Sequence, residues 1–217
     1  MKYLGEVNTI GEAWMQFLQE VDANGIVVNY DAEKIIKEET GLIISIKHAS
    51  LNDKIINKYL IDEEYHWMQD NFHKQGVVSE LRNANSYASR LYNYLGKKNQ
   101  IEWVINKLKN DKLCCSATIT TFEPLTDVSY IPCISMLDFY IEEGKLNMYV
   151  YARSLDWGSK AYVNLVMLTE ILIKVSEEIK VPTGGIKLMV KLSRIYSKDF
   201  TKVSEILSDY KRSEENV

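Results

Sequence analysis

Residues 161–179, AYVNLVMLTEILIKVSEEI, place apolar side chains on more than one side of a helix, and no other stretch narrows the fold as far. Such a helix cannot float on a surface with one face in water, so it has to be buried between a sheet and a further layer. The remaining sequence supplies both. Short β-branched runs at residues 26–30 and 42–47 flank a charged segment, 32–38, that reads as a small helix. Strand-like stretches follow at 116–122, 134–141, 146–153 and 186–192, and Glu142-Glu143-Gly144-Lys145 is a hairpin signal between two of them. Helices are expected elsewhere. Thr9-Ile10-Gly11-Glu12 has the form of a capping box, and Ile10, Trp14, Phe17, Leu18 and Val21 then recur at helical spacing up to Gly25, a helix stop. Residues 51–71 read as one helix rich in acids and aromatics, 100–110 as another with Ile101, Val104, Ile105 and Leu108 on one face, and 200–210 as the last. The polar, irregular stretch 75–100, with Asn83-Ala84-Asn85-Ser86-Tyr87, is the candidate active-site loop. With no internal repeat or low-complexity linker, the expectation is one α+β domain over residues 1–217, with a mixed β-sheet and a long buried helix.

Composition removes several classes of function. The 26 basic and 30 acidic residues are interspersed and give a net charge of −4, so there is no electrostatic footprint for a nucleic-acid polymer. The start lacks a basic segment followed by an apolar one, and no window approaches the roughly 18 apolar residues of a spanning helix, so a cytoplasmic protein without membrane contact is expected. Cys114, Cys115 and Cys133 are an odd set without C-x-x-C spacing, and His48, His66 and His73 form no helical pair four apart. Neither a disulfide framework nor a metal site is expected. A redox role for the vicinal pair Cys114-Cys115 is disfavoured, because neighbours on a strand point to opposite faces.

Cys133 follows Pro132, which pushes the residue before it toward extended geometry and itself starts or edges a strand. The thiol therefore sits at a strand mouth, where it can face a cleft. Taken singly it reads rather as a small buried hydrophobe and Arg153 as a surface ion pair, while Asp156 could be a turn residue and Asn164 a polar residue opening a helix. An arginine beside a thiol would also favour the thiolate and could hold a phosphate bidentately.

The order of these residues carries more than each one alone. Pro132-Cys133, Leu137-Asp138-Phe139-Tyr140, Gly144-Lys145-Leu146, Arg153-Ser154-Leu155-Asp156 and Asn164 resemble the nucleophile region of the thymidylate synthase family. More loosely, residues 107–122 are similar to the family's LKxD helix and following strand, 86–91 to its Tyr-Gly loop, and Ser193-Arg194-Ile195-Tyr196 to its His-x-Tyr. The opening and the length resemble its short, archaeal-type branch. The resemblance implies folate-dependent methylation or hydroxymethylation at C5 of a pyrimidine nucleotide or nucleoside, by a homodimer, with 5,10-methylenetetrahydrofolate as cofactor. It implies catalytic roles for Cys133 as nucleophile, Asn164 on the ring's O4 and N3, and Tyr87 near the sulfur. It implies substrate contacts from Arg153 at the phosphate, from Ser154, from Tyr196 at the ribose and from Arg194, which stands at the family's ribose histidine, and a pterin contact from Asp156.

The sequence also departs from the family pattern. Cys115 and Ser116 stand where an arginine pair reaches a partner's phosphate site, and no arginine precedes Arg82. Arg194 replaces a histidine and is either a relocated phosphate cation or an ion-pair partner of Asp138. The losses gather at the phosphate, so an unusual acceptor becomes a serious alternative, either an unphosphorylated or non-nucleotide one, or none at all in a non-catalytic relative. Trp67 is expected in the core, and Glu63 and Glu64 are the guesses for activating water.

Overall fold

The computed structural model describes residues 1–31, 34–128 and 130–215. Its centre is a mixed sheet running β1 (Lys2–Val7), β3 (Lys34–Ile46), β10 (Thr183–Tyr196), β8 (Lys145–Ala152), β7 (Ile134–Glu142) and β6 (Ala117–Thr120). β2 (Ile26–Asp31) adds to β3, and β9 (Leu155–Asp156) to the end of β10. β10 is antiparallel to β3 and parallel to β8 and β9, while β7 pairs antiparallel with both β6 and β8.

α6 (Ala161–Ile179) is the buried helix the sequence requires, with Leu165, Leu168, Leu172 and Val175 fully covered. It lies against β8 and β10 on one side and against α1 (Ile10–Asn24), α3 (Asp62–His73) and α5 (Gln100–Asn110) on the others. Those neighbours explain an apolar surface wider than one stripe. Among the described residues no helix is long and apolar enough to cross a membrane.

Local chemistry sets the ends of the elements. Thr9 caps α1 by accepting from the Glu12 N–H at 3.2 Å, and Gly25 closes it. Asp53 caps the short α2 (Lys54–Tyr59) and accepts from the Gly11 N–H at 2.7 Å, tying α1 to α2. Between β7 and β8, Glu143 and Gly144 both have positive φ, the geometry of a tight hairpin turn.

Three expectations change. The charged segment around residues 32–38 is not a helix over its described part: residues 34–38 begin the long strand β3, and Ala32 and Glu33 lie outside the described residues. Pairing with β2 on one side and β10 on the other outweighs local helix preference there. The helix expected at 51–71 is two, α2 and α3, broken at Leu60 and Ile61. Cys114 and Cys115 lie in the turn region before β6, not on a strand.

Candidate active site

Five segments converge on a cavity of about 590 Å³ at the end of the sheet where β7 begins and β10 finishes. Tyr87 is the first residue of α4 (Tyr87–Tyr92), whose N-cap Ser86 accepts from the Ser89 N–H. Its own N–H donates to Asn71 Oδ1 at 2.9 Å, and its ring stacks on Phe72 with centroids 4.4 Å apart. Thus fixed, the Tyr87 hydroxyl accepts the Ile134 N–H at 2.9 Å, one residue past Cys133. Burial, then the neighbouring Cys133, push this phenol well above its usual range.

Cys133 is half-buried on the cavity wall at the start of β7. Its carbonyl accepts the Arg153 N–H at 2.8 Å, which extends the β7–β8 ladder by one pair. The Arg153 side chain does not line the cavity. Its guanidinium turns back onto the loop, donating through Nε to Pro132 O at 3.0 Å and Ile131 O at 3.1 Å and through a second nitrogen to Ile131 O. The Tyr130 hydroxyl is instead the polar group that reaches the sulfur among the described residues, 3.9 Å away.

Asn164 stands in the first turn of α6 and also lines the cavity. Its Nδ2 donates to Lys160 O at 3.1 Å, and its Oδ1 is buried without a hydrogen-bond partner. Asp156, on β9, lines the cavity too and likewise has a buried, unpartnered Oδ1. Desolvation, then the charge of Asp199, raise its carboxyl to about 7. Tyr196 closes the same wall from the end of β10.

Of the residues singled out in sequence, Cys133, Tyr87, Asn164, Asp156 and Tyr196 meet around this cavity, while Arg153, Ser154 and Arg194 do not line it. Ser154 is buried. Arg194 ion-pairs with Glu38 at 2.6 Å and not with Asp138, which accepts from Thr118 Oγ1 at 2.8 Å. Trp67, expected in the core, is a cavity wall with the Lys160 ammonium 3.4 Å from its ring centroid. Burial pushes that ammonium below the usual lysine range. Glu63 is exposed, and Glu64 accepts from Ser159 Oγ at 2.8 Å without lining the cavity. Sequence reasoning missed Tyr130, Lys160 and Lys198, all cavity residues. Tyr130 carried a faint signal, an aromatic three positions before the cysteine, and the lysines carried none among 26 basic residues.

Comparison with known proteins bears on the family. The family model described as thymidylate synthase matches residues 28–216. A "Putative thymidylate synthase" of Methanococcoides burtonii is 29% identical over 211 residues, 93% of each chain. A protein of the same description from Methanosarcina mazei is 30% identical over 202 residues, 91% of each. A "Thymidylate synthase" of Mycoplasma genitalium is 24% identical over 152 residues, covering 58% of this chain and 53% of its own.

Proposed function

The chain belongs to the thymidylate synthase family, and from that premise we propose that it transfers one carbon from 5,10-methylenetetrahydrofolate to C5 of a pyrimidine nucleotide or nucleoside, through a covalent adduct on Cys133. Family membership makes it a thymidylate synthase-like enzyme and supports folate-dependent C5 pyrimidine methylation in general. The observation that carries the finer reading is the convergence of Cys133, Tyr87, Asn164, Asp156 and Tyr196, from separate parts of the chain, on one cavity.

The residues fit a folate. Asp156 Oδ1 and Asn164 Oδ1 are buried acceptors without partners, on a cavity that also carries the apolar surfaces of Trp67 and Met68. A fused heterocycle with an N–H edge satisfies the Asp156 acceptor and covers the apolar wall. When bound, the folate supplies a carbon at the methylene oxidation level.

The protein's own part follows from the geometry. The Cys133 thiolate donates its electron pair to C6, forming the S–C6 bond, and the C5–C6 π pair moves onto C5 and toward O4. Asn164 lines the same cavity, and in this reading its Oδ1 accepts the ring N–H and orients the ring, while its Nδ2, which now donates to Lys160 O, turns to O4 as charge develops there. That acceptor favours a uracil-type ring. Tyr87, locked by Asn71 and Phe72, keeps the Ile134 N–H and hence the β7 start in register. Tyr196, on the same cavity at the end of β10, is the proposed ribose contact. Whether the product is methyl or hydroxymethyl follows from how completely the cavity, with its ligands bound, excludes water.

A second reading, the same apparatus aimed at an unphosphorylated or non-nucleotide acceptor, is favoured by the arginines. Arg153 is bound to loop carbonyls and Arg194 to Glu38, so the cations on the cavity wall are Lys160 and Lys198. The homodimer implied by the sequence resemblance is part of the proposal.

Intact-protein mass separates these readings. The protein is incubated with 5,10-methylenetetrahydrofolate and 5-fluoropyrimidine nucleotides or nucleosides, singly. An added mass that Cys133→Ala abolishes is expected, and the analogue that gives it identifies base and phosphate. If none of them adds mass, pyrimidine chemistry at Cys133 is refuted.

A further inference from the structure

We propose that Tyr130 is a further catalytic residue: its hydroxyl donates a hydrogen bond to the Cys133 sulfur and holds it as the thiolate. The inference rests on the reading of Cys133 as the nucleophile and adds to it a residue that the sequence analysis did not single out.

Geometry carries it. Tyr130 Oη and Cys133 Sγ are 3.9 Å apart, and both line the cavity. That is a long contact for a neutral thiol, and a hydrogen bond to an ionised acceptor shortens. Only Ile131 and Pro132 separate the two residues, and the Arg153 guanidinium grips the carbonyls of both. Arg153 therefore fixes the phenol relative to the sulfur by holding the peptide units between them, while its own charge is spent on backbone oxygens. Proline adds its fixed φ to the same link.

A second hydroxyl on the same wall, that of Tyr87, accepts the Ile134 N–H and keeps its own proton, while the contact to Cys133 Sγ is made by Tyr130. The ionisable groups that act at this point are Tyr87 from α4, Tyr130 from the loop itself and Arg153 from the end of β8. Arg90, also from α4, acts on Tyr130 while held by Asp127 at 2.7 Å. Burial and the neighbouring Cys133 raise the Tyr130 phenol above its usual range, so it stays a proton donor at any working pH. The thiol proton leaves to water through the open side of the cavity, and the phenol keeps its own.

The test reads the sulfur without substrate. Carboxamidomethylation by iodoacetamide is followed across pH at the peptide that contains Cys133, since Cys114 and the exposed Cys115 also react. Tyr130→Phe is expected to react about tenfold more slowly near pH 7 and to match the native protein above about pH 10, where any thiol is ionised. A purely structural role for Tyr130 would lower the rate equally at every pH. Identical profiles for Tyr130→Phe and the native protein overturn the proposal. Should Tyr130→Phe fail to fold, 3-fluorotyrosine at position 130 preserves size and makes the phenol a stronger donor. Faster alkylation near pH 7 then supports the proposal, and an unchanged rate refutes it. The alkylation result stands apart from the adduct experiment: an unchanged profile together with a Cys133 adduct removes Tyr130 and leaves the proposed function intact.

Discussion

A carboxyl buried beside a second carboxyl keeps its proton longer than one in water, and Asp156, next to Asp199, is held at about 7. Unfolded, the same group titrates near 3.8. Between those values the folded protein binds the extra proton, so the stability associated with it is whole below about pH 4 and lost as pH rises through about 7. Asp156→Asn removes the penalty. Its melting temperature relative to the native protein is expected to rise between pH 5 and pH 8, with a gain on the order of 2–4 kcal/mol at the upper end, while turnover is expected to fall, because asparagine puts an NH2 donor where the proposed pterin contact needs a second acceptor oxygen. A melting difference that is flat across that range would refute the assignment. Cys133, Asn164 and Asp156 were legible in sequence because their order survives whatever the loops do. The direction of Arg153 was not: whether a guanidinium faces a cavity or its own loop depends on which carbonyls the loop leaves open, and spacing does not encode that. Trp67 failed for a related reason, since an indole on a helix packs equally well in a core or on a cavity wall.

At the level of elements, the strong periodic segments were readable and the tertiary pairings were not. α5 and α6 fall at the boundaries their apolar spacing gives, and the Glu142–Lys145 turn joins β7 to β8 as its glycine suggests. The start of β3 was misread because its alternating charges resemble a solvated helix. In the sheet those charges find partners across the ladder, as Glu38 does opposite Arg194. The break between α2 and α3 carries no glycine or proline. It is made by a distant side chain, the Tyr162 hydroxyl, which accepts the Ile61 N–H at 3.1 Å. One glycine is decisive for the sheet. β10 shifts register between Thr183 and Ile186, and a Cβ built on Gly185 would lie 2.0 Å from Ile46 O, on a backbone that cannot yield without breaking the β3–β10 ladder. Gly185→Ala is expected to destabilise the protein by about 2–3 kcal/mol, read as a melting point lower by about 4–12 °C. An unchanged melting point would mean that the strand shifts freely there.

Across the whole molecule, a buried arginine joins the helical layer to the loop that carries Cys133. Arg90 on α4 is 1% exposed and forks onto Asp127 at 2.7 and 2.8 Å, and it donates to the carbonyls of Thr121 and Asn85. Glu123, also buried, lies 3.9 Å from it, takes a hydrogen bond from Asn85 Nδ2 and keeps Oε1 without a partner. Asp127 and Glu123 belong to the loop that leads from β6 to Tyr130 and Cys133, whereas Tyr87 and Arg90 belong to the same helix. The network therefore sets the loop carrying the sulfur against the helix carrying the tyrosine. Nothing in the sequence marks Arg90 as the buried one of five arginines, because burial of a charge is decided by partners 31 and 37 positions away. Removing it strands two carboxylates in a low-dielectric interior, a change that typically costs about 3–5 kcal/mol. Arg90→Ala is accordingly expected to lower the chemical-denaturation midpoint by that equivalent. Arg90→Met with Asp127→Leu and Glu123→Gln, which leaves no bare charge, is expected to recover much of the stability. The two variants part at the cavity. The triple variant regains a packed interior but not the bidentate link between loop and helix, so its turnover is expected to stay low when its stability returns. Full recovery of both would show that packing alone positions the loop, and failure to recover stability would show that the ion pair itself, more than the avoidance of bare charge, holds α4 to the sheet.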